Sequence, residues 1–400
     1  MGLVLTTASV WVSLGCWGRP FEGDHLSAAM NWGHIRKTAL LVCALGHAVA
    51  ASAQSLGGGV NLSGAEFNAS RLPGSYGADY TYPTPAEVDY YLDQGMYLAR
   101  IPFLWERLQQ SLYAPLDANE LARLQSVVTY ATGHGVRVIL DPHNFARYYG
   151  SVVGSNEVPD GAFADFWSRL AARYKSNPLV IFDLMNEPHA MPTEQWVSAA
   201  NAAIAAIRAA GASNLILVEG NGWSGSYSWS EDWYGTPNAV AMLNIADPGH
   251  NIAFEVHLYF DDDNSGSTPN IVSVTIGSER IAGFTQWLRQ HGYQGLLGEF
   301  AVAGQTIGAT SSQIGDEALD DLLGAIENDA DAWLGWTWWA GGPWLGEYMF
   351  TLEPQNLGQA NETDRPQMAV LQPHLLPEPG SAIWPGIAAV AALDRRRRCR

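Results

Sequence analysis

Eight times along the chain an apolar, β-rich run is followed by a stretch of helical periodicity. That alternation restricts the fold more than any other feature. The runs are 59–68, 97–103, 135–144, 179–188, 214–222, 251–260, 292–301 and 332–341. Most are apolar throughout, the pattern of parallel strands covered on both faces. Between them, 198–211 (SAANAAIAAIRAAG) is Ala-rich and stops at Gly211, a C-cap signal. Leu121, Leu124, Val128 and Ala131 recur at helical spacing. Eight βα units in roughly 320 residues predict an α/β chain folded as a (β/α)8 barrel, the TIM-barrel architecture. A doubly wound open sheet would carry a Gly-rich phosphate loop after its first strand, and none is present. No low-complexity linker interrupts 54–376, so that stretch is expected to be one catalytic domain.

The two ends read differently. In 30–53 (MNWGHIRKTALLVCALGHAVAASA), Arg36 and Lys37 precede an apolar segment too short to span a membrane as a stable anchor, and Ala51-Ser52-Ala53 makes an A-x-A cleavage site. This predicts a signal peptide and a secreted protein beginning near Gln54. Residues 1–29 then read as an upstream extension from a start codon placed too early. The C-terminal 377–400 has Pro377-Glu378-Pro379, a short apolar stretch broken by Pro385, and an arginine cluster. It resembles the PEP-CTERM sorting tail of Gram-negative bacteria. That resemblance implies an extracellular or outer-surface location and an association with exopolysaccharide.

Charge and composition narrow the chemistry. The formal net charge is −19. The first 53 residues carry a net +1 and the last seven a net +4, which leaves −24 on 54–393. Such a field repels nucleic acid and anionic metabolites but is indifferent to a neutral polymer. Lys37 and Lys175 are the only lysines, and Lys175 sits in a helical stretch, which disfavours Schiff-base chemistry. Cys16, Cys43 and Cys399 all lie outside the central region, so no thiolate nucleophile, disulfide framework or Cys–zinc site is expected there. Asp261-Asp262-Asp263-Asn264 lacks EF-hand spacing and reads as a solvated acidic loop. No metal and no cofactor is expected.

In a (β/α)8 barrel, chemistry gathers at the C-terminal ends of the strands. Those ends carry Arg100, His143-Asn144, Asn186-Glu187-Pro188, His257-Leu258-Tyr259, Gly298-Glu299-Phe300 and Trp338-Trp339. Glu187 and Glu299 each follow an apolar run. Burial raises a carboxyl pKa and a nearby Arg lowers it, so two such groups can divide into an acid and an ionised nucleophile. That division is what hydrolysis of a glycosidic bond requires.

The segments LVIFDLMNEPHAM, EVHLYFDDDNSGS, LLGEFA and WTWWAGGPWLGEYMFTLEP, in this order, resemble glycoside hydrolase family 5 of the endo-β-1,4-glucanase (cellulase) type, over about 60–370. The resemblance implies a retaining mechanism without cofactor on β-glucan, with Glu187 as acid/base and Glu299 as nucleophile. It implies Arg100 beside Glu299, holding it ionised, and Asn186 on the sugar 2-hydroxyl. It implies Tyr259 against Glu299 and His257 near Glu187 or the sugar; a purely structural role for His257 stays open. His143 is expected on a sugar hydroxyl, and Asn144 either there or capping a loop. Trp339 is expected as the aromatic floor, with Trp338 packed outside the barrel and a cis peptide at Trp339–Ala340. Trp344 is expected to stack a further sugar. Trp223, Trp229 and Trp233 read equally as distant sugar platforms or as loop packing. Mannanases, xyloglucanases and mixed-linkage glucanases share the carboxyl pair and remain alternatives. So does a carbohydrate-binding surface protein that no longer cleaves, although it would be expected to lack one carboxylate. A monomer is expected.

Overall fold

The computed structural model describes residues 55–308 and 314–375, which belong to one compact unit. The expected signal peptide, the extension before it and the C-terminal tail lie outside the described residues.

All eight apolar runs become strands: β1 (Gly57–Leu62), β2 (Leu98–Phe103), β3 (Arg137–Pro142), β6 (Val180–Asp183), β7 (Ile216–Glu219), β8 (Ile252–His257), β9 (Gly295–Glu299) and β10 (Trp333–Gly341). They pair in parallel and close into a barrel in the order β1-β10-β9-β8-β7-β6-β3-β2. A small antiparallel hairpin, β4 (Arg147–Tyr148) and β5 (Ser151–Val152), stands outside the barrel and carries no periodicity that would have announced it. The helices are α1 (Pro85–Asp93), α2 (Trp105–Leu108), α3 (Ala118–Gly133), α4 (Asp160–Tyr174), α5 (Thr193–Ala209), α6 (Asn238–Ala241), α7 (Ile276–His291), α8 (Ile314–Asn328) and α9 (Gln367–Leu371). Their starts follow local chemistry. Thr84 and Glu87 form a reciprocal capping box on α1, and Asp117 accepts from Asn119 N and Glu120 N at the head of α3. Gly211 follows α5 at φ 86°, a conformation that suits glycine at a helix end.

The strands are shorter than the apolar runs because the chain turns into functional loops before the apolar residues stop. The fourth run shows it best: β6 ends at Asp183, yet Leu184, Met185 and Asn186 stay buried and Glu187 adopts φ 45°.

Alternate residues of a strand point to the same face. Leu56, Leu98, Ile139, Ile181, Leu217, Ala253, Leu296 and Leu334, one from or just before each strand, form a buried cluster separate from the main core. They plug the barrel's lower end, each large side chain contributing about 2 kcal/mol by burial. Two residues further on, the inward positions are Arg100, Asp141, Asp183, Glu219, Glu255 and Gly298, all buried. A charged layer therefore rests on the apolar plug, and the strand ends stand above it.

Candidate active site

Arg100 is the hub of the charged layer. Its guanidinium lies 2.9 Å from Asp141, 3.0 Å from Asp183, 2.9 Å from Glu219, 3.0 Å from Glu255 and 3.0 Å from Glu299. It also donates to Asn61 Oδ1 at 3.1 Å and Asn186 Oδ1 at 2.9 Å. Burial opposes its charge, but Asp141, Glu255, Asp183 and Glu299 outweigh burial and hold its pKa well above the ordinary range. Gly298 makes room for this packing: a Cβ there would lie 1.8 Å from a Glu255 carboxylate oxygen.

Glu187 and Glu299 meet above this layer. One carboxylate oxygen from each, together with a ring nitrogen of His257, lies within 4.8 Å of the others. His257 Nδ1 is 2.8 Å from Glu187 Oε1 and 3.7 Å from Glu299 Oε2. Tyr259 Oη donates to Glu299 Oε2 at 2.9 Å. Burial, then the charge of Glu299, pushes the Tyr259 phenol well above its usual range, so it stays a donor. For His257, burial opposes the charge, but Glu219, Glu299, Glu187 and Glu255 prevail and raise its pKa well above normal. His143 gives Nδ1 to Asp141 at 2.8 Å, and its ring stacks on Trp339 at 5.2 Å and 14°. The Trp339–Ala340 peptide is cis, while Trp338 is fully buried with its indole N–H on Phe350 O.

Eight of the ten expected site residues thus converge: Glu187, Glu299, Arg100, His143, Asn186, His257, Tyr259 and Trp339. Asn144 does not join them. Its Oδ1 accepts from Trp105 N at 2.7 Å and its Nδ2 donates to Glu106 at 2.6 Å, so its amide caps α2 instead of facing a sugar. Trp344 stands 52% exposed in the loop after β10. Trp229 is 1% exposed and packs on Phe254, Phe284 and Trp287, which makes it core. Trp223 and Trp233 are exposed and line a cleft of about 420 Å³ beside Glu187, with Tyr227, His257 and Tyr259. Trp223 is stacked on His189 at 4.6 Å and 10°. Asp261 departs from a solvated acidic loop: it is buried and its carboxylate accepts from the N–H groups of Gly266, Ser267 and Thr268, while Asp262 and Asp263 are exposed. A larger hollow, about 970 Å³, lies at the barrel's other end against Leu56, Leu215, Ile252 and Leu334, away from the carboxyl pair.

Arg100 touches Glu299, yet it does not by itself hold that carboxyl ionised. Burial raises the Glu299 pKa; His257 opposes this most, Glu187 adds to the rise, and Arg100 and His143 lower it. Arg100's single charge is divided among five carboxylates.

The acids beneath the pair (Asp141, Asp183, Glu219, Glu255) and Asn61 were not singled out from the sequence. What they share shows only once the barrel is closed: each of these acids stands two residues after an apolar residue that points inward, as in Ile139-x-Asp141 and Leu217-x-Glu219.

Two close carboxyls at the mouth of a (β/α)8 barrel, beside an indole, define the chain as a glycoside hydrolase. It belongs to glycosyl hydrolase family 5, the cellulase family, whose model matches residues 60–342. The chain is 41% identical over 298 residues to endoglucanase 3 of Humicola insolens, covering 74% of this chain and 72% of that one. It is 41% identical over 331 residues to a probable endo-β-1,4-glucanase B of Neosartorya fischeri, covering 81% and 94%. Among solved structures, XacCel5A in complex with cellopentaose shares 44% identity at a TM-score of 0.76, over 80% of this chain and 99% of that one. Pseudomonas stutzeri endoglucanase Cel5A in complex with cellobiose shares 38% identity at a TM-score of 0.72, over 80% and 92%.

Proposed function

We propose that this chain is an endo-β-1,4-glucanase that cleaves β-1,4-glucan with retention of anomeric configuration. The observation that carries the reading is the proximity of Glu187 and Glu299, with oxygens within 4.8 Å. Measured from carboxyl to carboxyl, a retaining pair stands about 5–5.5 Å apart and an inverting pair roughly 6.5–9.5 Å, and a nearest-oxygen approach within 4.8 Å favours the shorter class. The endo-β-1,4-glucanase names of the relatives, and the cellopentaose and cellobiose of the structural neighbours, support the substrate class.

In the first step Glu299 attacks the anomeric carbon while Glu187 protonates the departing glycosidic oxygen. This leaves a covalent glycosyl-enzyme and an ionised Glu187. Glu187 then takes a proton from water, which displaces Glu299 and restores both groups. Arg100 and Tyr259 stabilise the carboxylate of Glu299 as it departs. Asn186 accepts from Arg100 through Oδ1, and its buried Nδ2 has no protein partner, which suits a sugar 2-hydroxyl. Trp339 offers its indole face to the C–H face of the sugar beside His143. Trp223 and Trp233, which line the cleft beside Glu187, extend the platform, and the exposed Trp344 is assigned a further sugar. Residues 30–53 support export, and 377–400 support retention at the cell surface. The mature protein is expected to begin near Gln54, which N-terminal sequencing of the secreted form checks.

The test is the product of cellopentaose hydrolysis observed by proton NMR at early times. The β-anomer should appear first. Initial α-anomer would refute retention, and a Glu299→Ala variant with full activity would remove the nucleophile. Faster initial rates on mannan or xyloglucan than on carboxymethylcellulose would move the substrate assignment within the family.

A further inference from the structure

Glu219 reaches Glu187 directly through the backbone and indirectly through His257. Its Oε2 accepts the backbone N–H of Glu187 at 2.7 Å, at a residue held in the left-handed region with φ 45°. Its Oε1 accepts from Arg100 Nη2 at 2.9 Å and lies 3.5 Å from His257 Nε2. The other nitrogen of that ring, Nδ1, is on Glu187 Oε1 at 2.8 Å. Two carboxylates thus flank one imidazole from the closed barrel interior to the mouth, Glu187 by a hydrogen bond and Glu219 at ion-pair distance without one, and Glu219 also grips the backbone of Glu187.

We propose that Glu219 is the positioning residue of the acid/base: it fixes the Glu187 backbone and supplies the counter-charge that keeps His257 an imidazolium. The proposal rests on Glu187 being the acid/base.

The groups facing His257 are Glu187, Glu219, Glu255 at 3.6 Å and Glu299, with Arg100 and Tyr259 behind them. Four carboxyls surround one ring, so the ring carries the proton. Both Glu219 oxygens already accept hydrogen bonds, from Glu187 N and from Arg100, which leaves Glu219 as the acceptor of the pair. Burial, with Asp183 and Glu255 adding to it, pushes the Glu219 carboxyl well above its ordinary range against the charges of His257 and Arg100, so its negative charge depends on those two contacts. The chemical consequence falls on Glu187. An imidazolium N–H occupying Oε1 leaves the transferable proton on Oε2. When that proton passes to the leaving oxygen, the carboxylate formed already has a cationic donor on Oε1, and it accepts the proton of water in the second step.

The experiment compares Glu219→Gln and Glu187→Gln with wild type on cellotetraose, whose leaving group needs protonation, and on 2,4-dinitrophenyl β-cellobioside, whose leaving group does not. For Glu219→Gln, kcat/KM should fall roughly tenfold or more on cellotetraose, a fraction of what general acid catalysis contributes. On the activated glycoside it should change less than about threefold. Equal losses on both substrates, the mark of general structural damage, would overturn the proposal, as would no loss on either. Glu187→Gln should show the same split more strongly. If it does not, the acid/base assignment fails; if it does and Glu219→Gln does not, only the role of Glu219 fails. A second measurement needs no Glu219 variant. In ¹⁵N-labelled wild-type protein, with the signals assigned by their loss in His257→Gln, both His257 ring nitrogens should be protonated at neutral pH. A neutral tautomer there would overturn the proposal.

Discussion

Tyr259 shows how a single hydroxyl is set to work on a charge. Its oxygen is buried, its phenol is held protonated by burial and by the charge beside it, and its proton has one acceptor, Glu299 Oε2. A hydrogen bond to a charged group contributes about 1.5–3 kcal/mol, and one that strengthens as Glu299 departs contributes to kcat more than to KM. Tyr259→Phe is therefore expected to lower kcat roughly ten- to hundredfold with KM nearly unchanged. Steady-state kinetics on cellotetraose checks it, and a rise in KM at constant kcat would move Tyr259 to substrate binding. The neighbouring aromatic residues separate by burial. Trp229→Ala should cost about 3–5 kcal/mol of stability by opening a cavity among Phe254, Phe284 and Trp287. Trp223→Ala, at an exposed ring, should leave the unfolding midpoint unchanged and weaken binding of long oligosaccharides. Urea titration and KM against chain length distinguish the two. These tryptophans look alike in the sequence, since both lie in a Ser/Gly/Trp-rich loop. Only the packing tells that one faces inward.

At the scale of elements, the strands were legible and their inner faces were not. An apolar run covered on both sides shows where a parallel strand lies, but it hides which alternate residues point into the barrel. A lone acid inside such a run, as in LVIFDL or NIAFEV, reads as a strand end. The eight-stave closure turns Asp183 and Glu255 inward onto Arg100 instead. The same limit applies to Asn144, whose role follows from α2, a helix too short to leave a period. The loop leaving β10 brings in another titrating group. Glu353 accepts the Gly342 N–H at 2.8 Å and the Tyr91 hydroxyl at 3.2 Å, and burial, with Glu87 adding to it, pushes its carboxyl up to about 7 from an ordinary 4.5. A carboxyl whose pKa is raised on folding stabilises fully below its unfolded value, and that contribution is lost as pH climbs through the folded value. The window is therefore about pH 4.5 to about 7. The loss is at most on the order of 3 kcal/mol. Glu353→Gln should flatten the decline of unfolding free energy across that window, measured by urea titration at its two ends. Parallel curves for variant and wild type would show that Glu353 ionises without penalty.

At the scale of the whole molecule, the excess of acid has consequences beyond the site. The described barrel lies within 54–393, which holds a net −24, and its mouth is lined with carboxyls. A neutral glucan approaches that surface without electrostatic penalty. Carboxymethylcellulose is a polyanion, and its encounter with the cleft is opposed by the summed field. Salt screens that field: the Debye length falls from about 30 Å at 0.01 M to about 8 Å at 0.15 M. Over this range kcat/KM on carboxymethylcellulose should rise at least about twofold, whereas a neutral soluble β-glucan should show almost no change. The effect should appear in kcat/KM and not in kcat, because screening acts on long-range encounter and hardly on the contacts of about 3 Å around the carboxyl pair. If both substrates responded alike, salt would be acting on the enzyme's own conformation or protonation. If neither responded, the negative charge would be spread too far from the cleft to govern what enters it, and the sugar platforms alone would set the rate of capture.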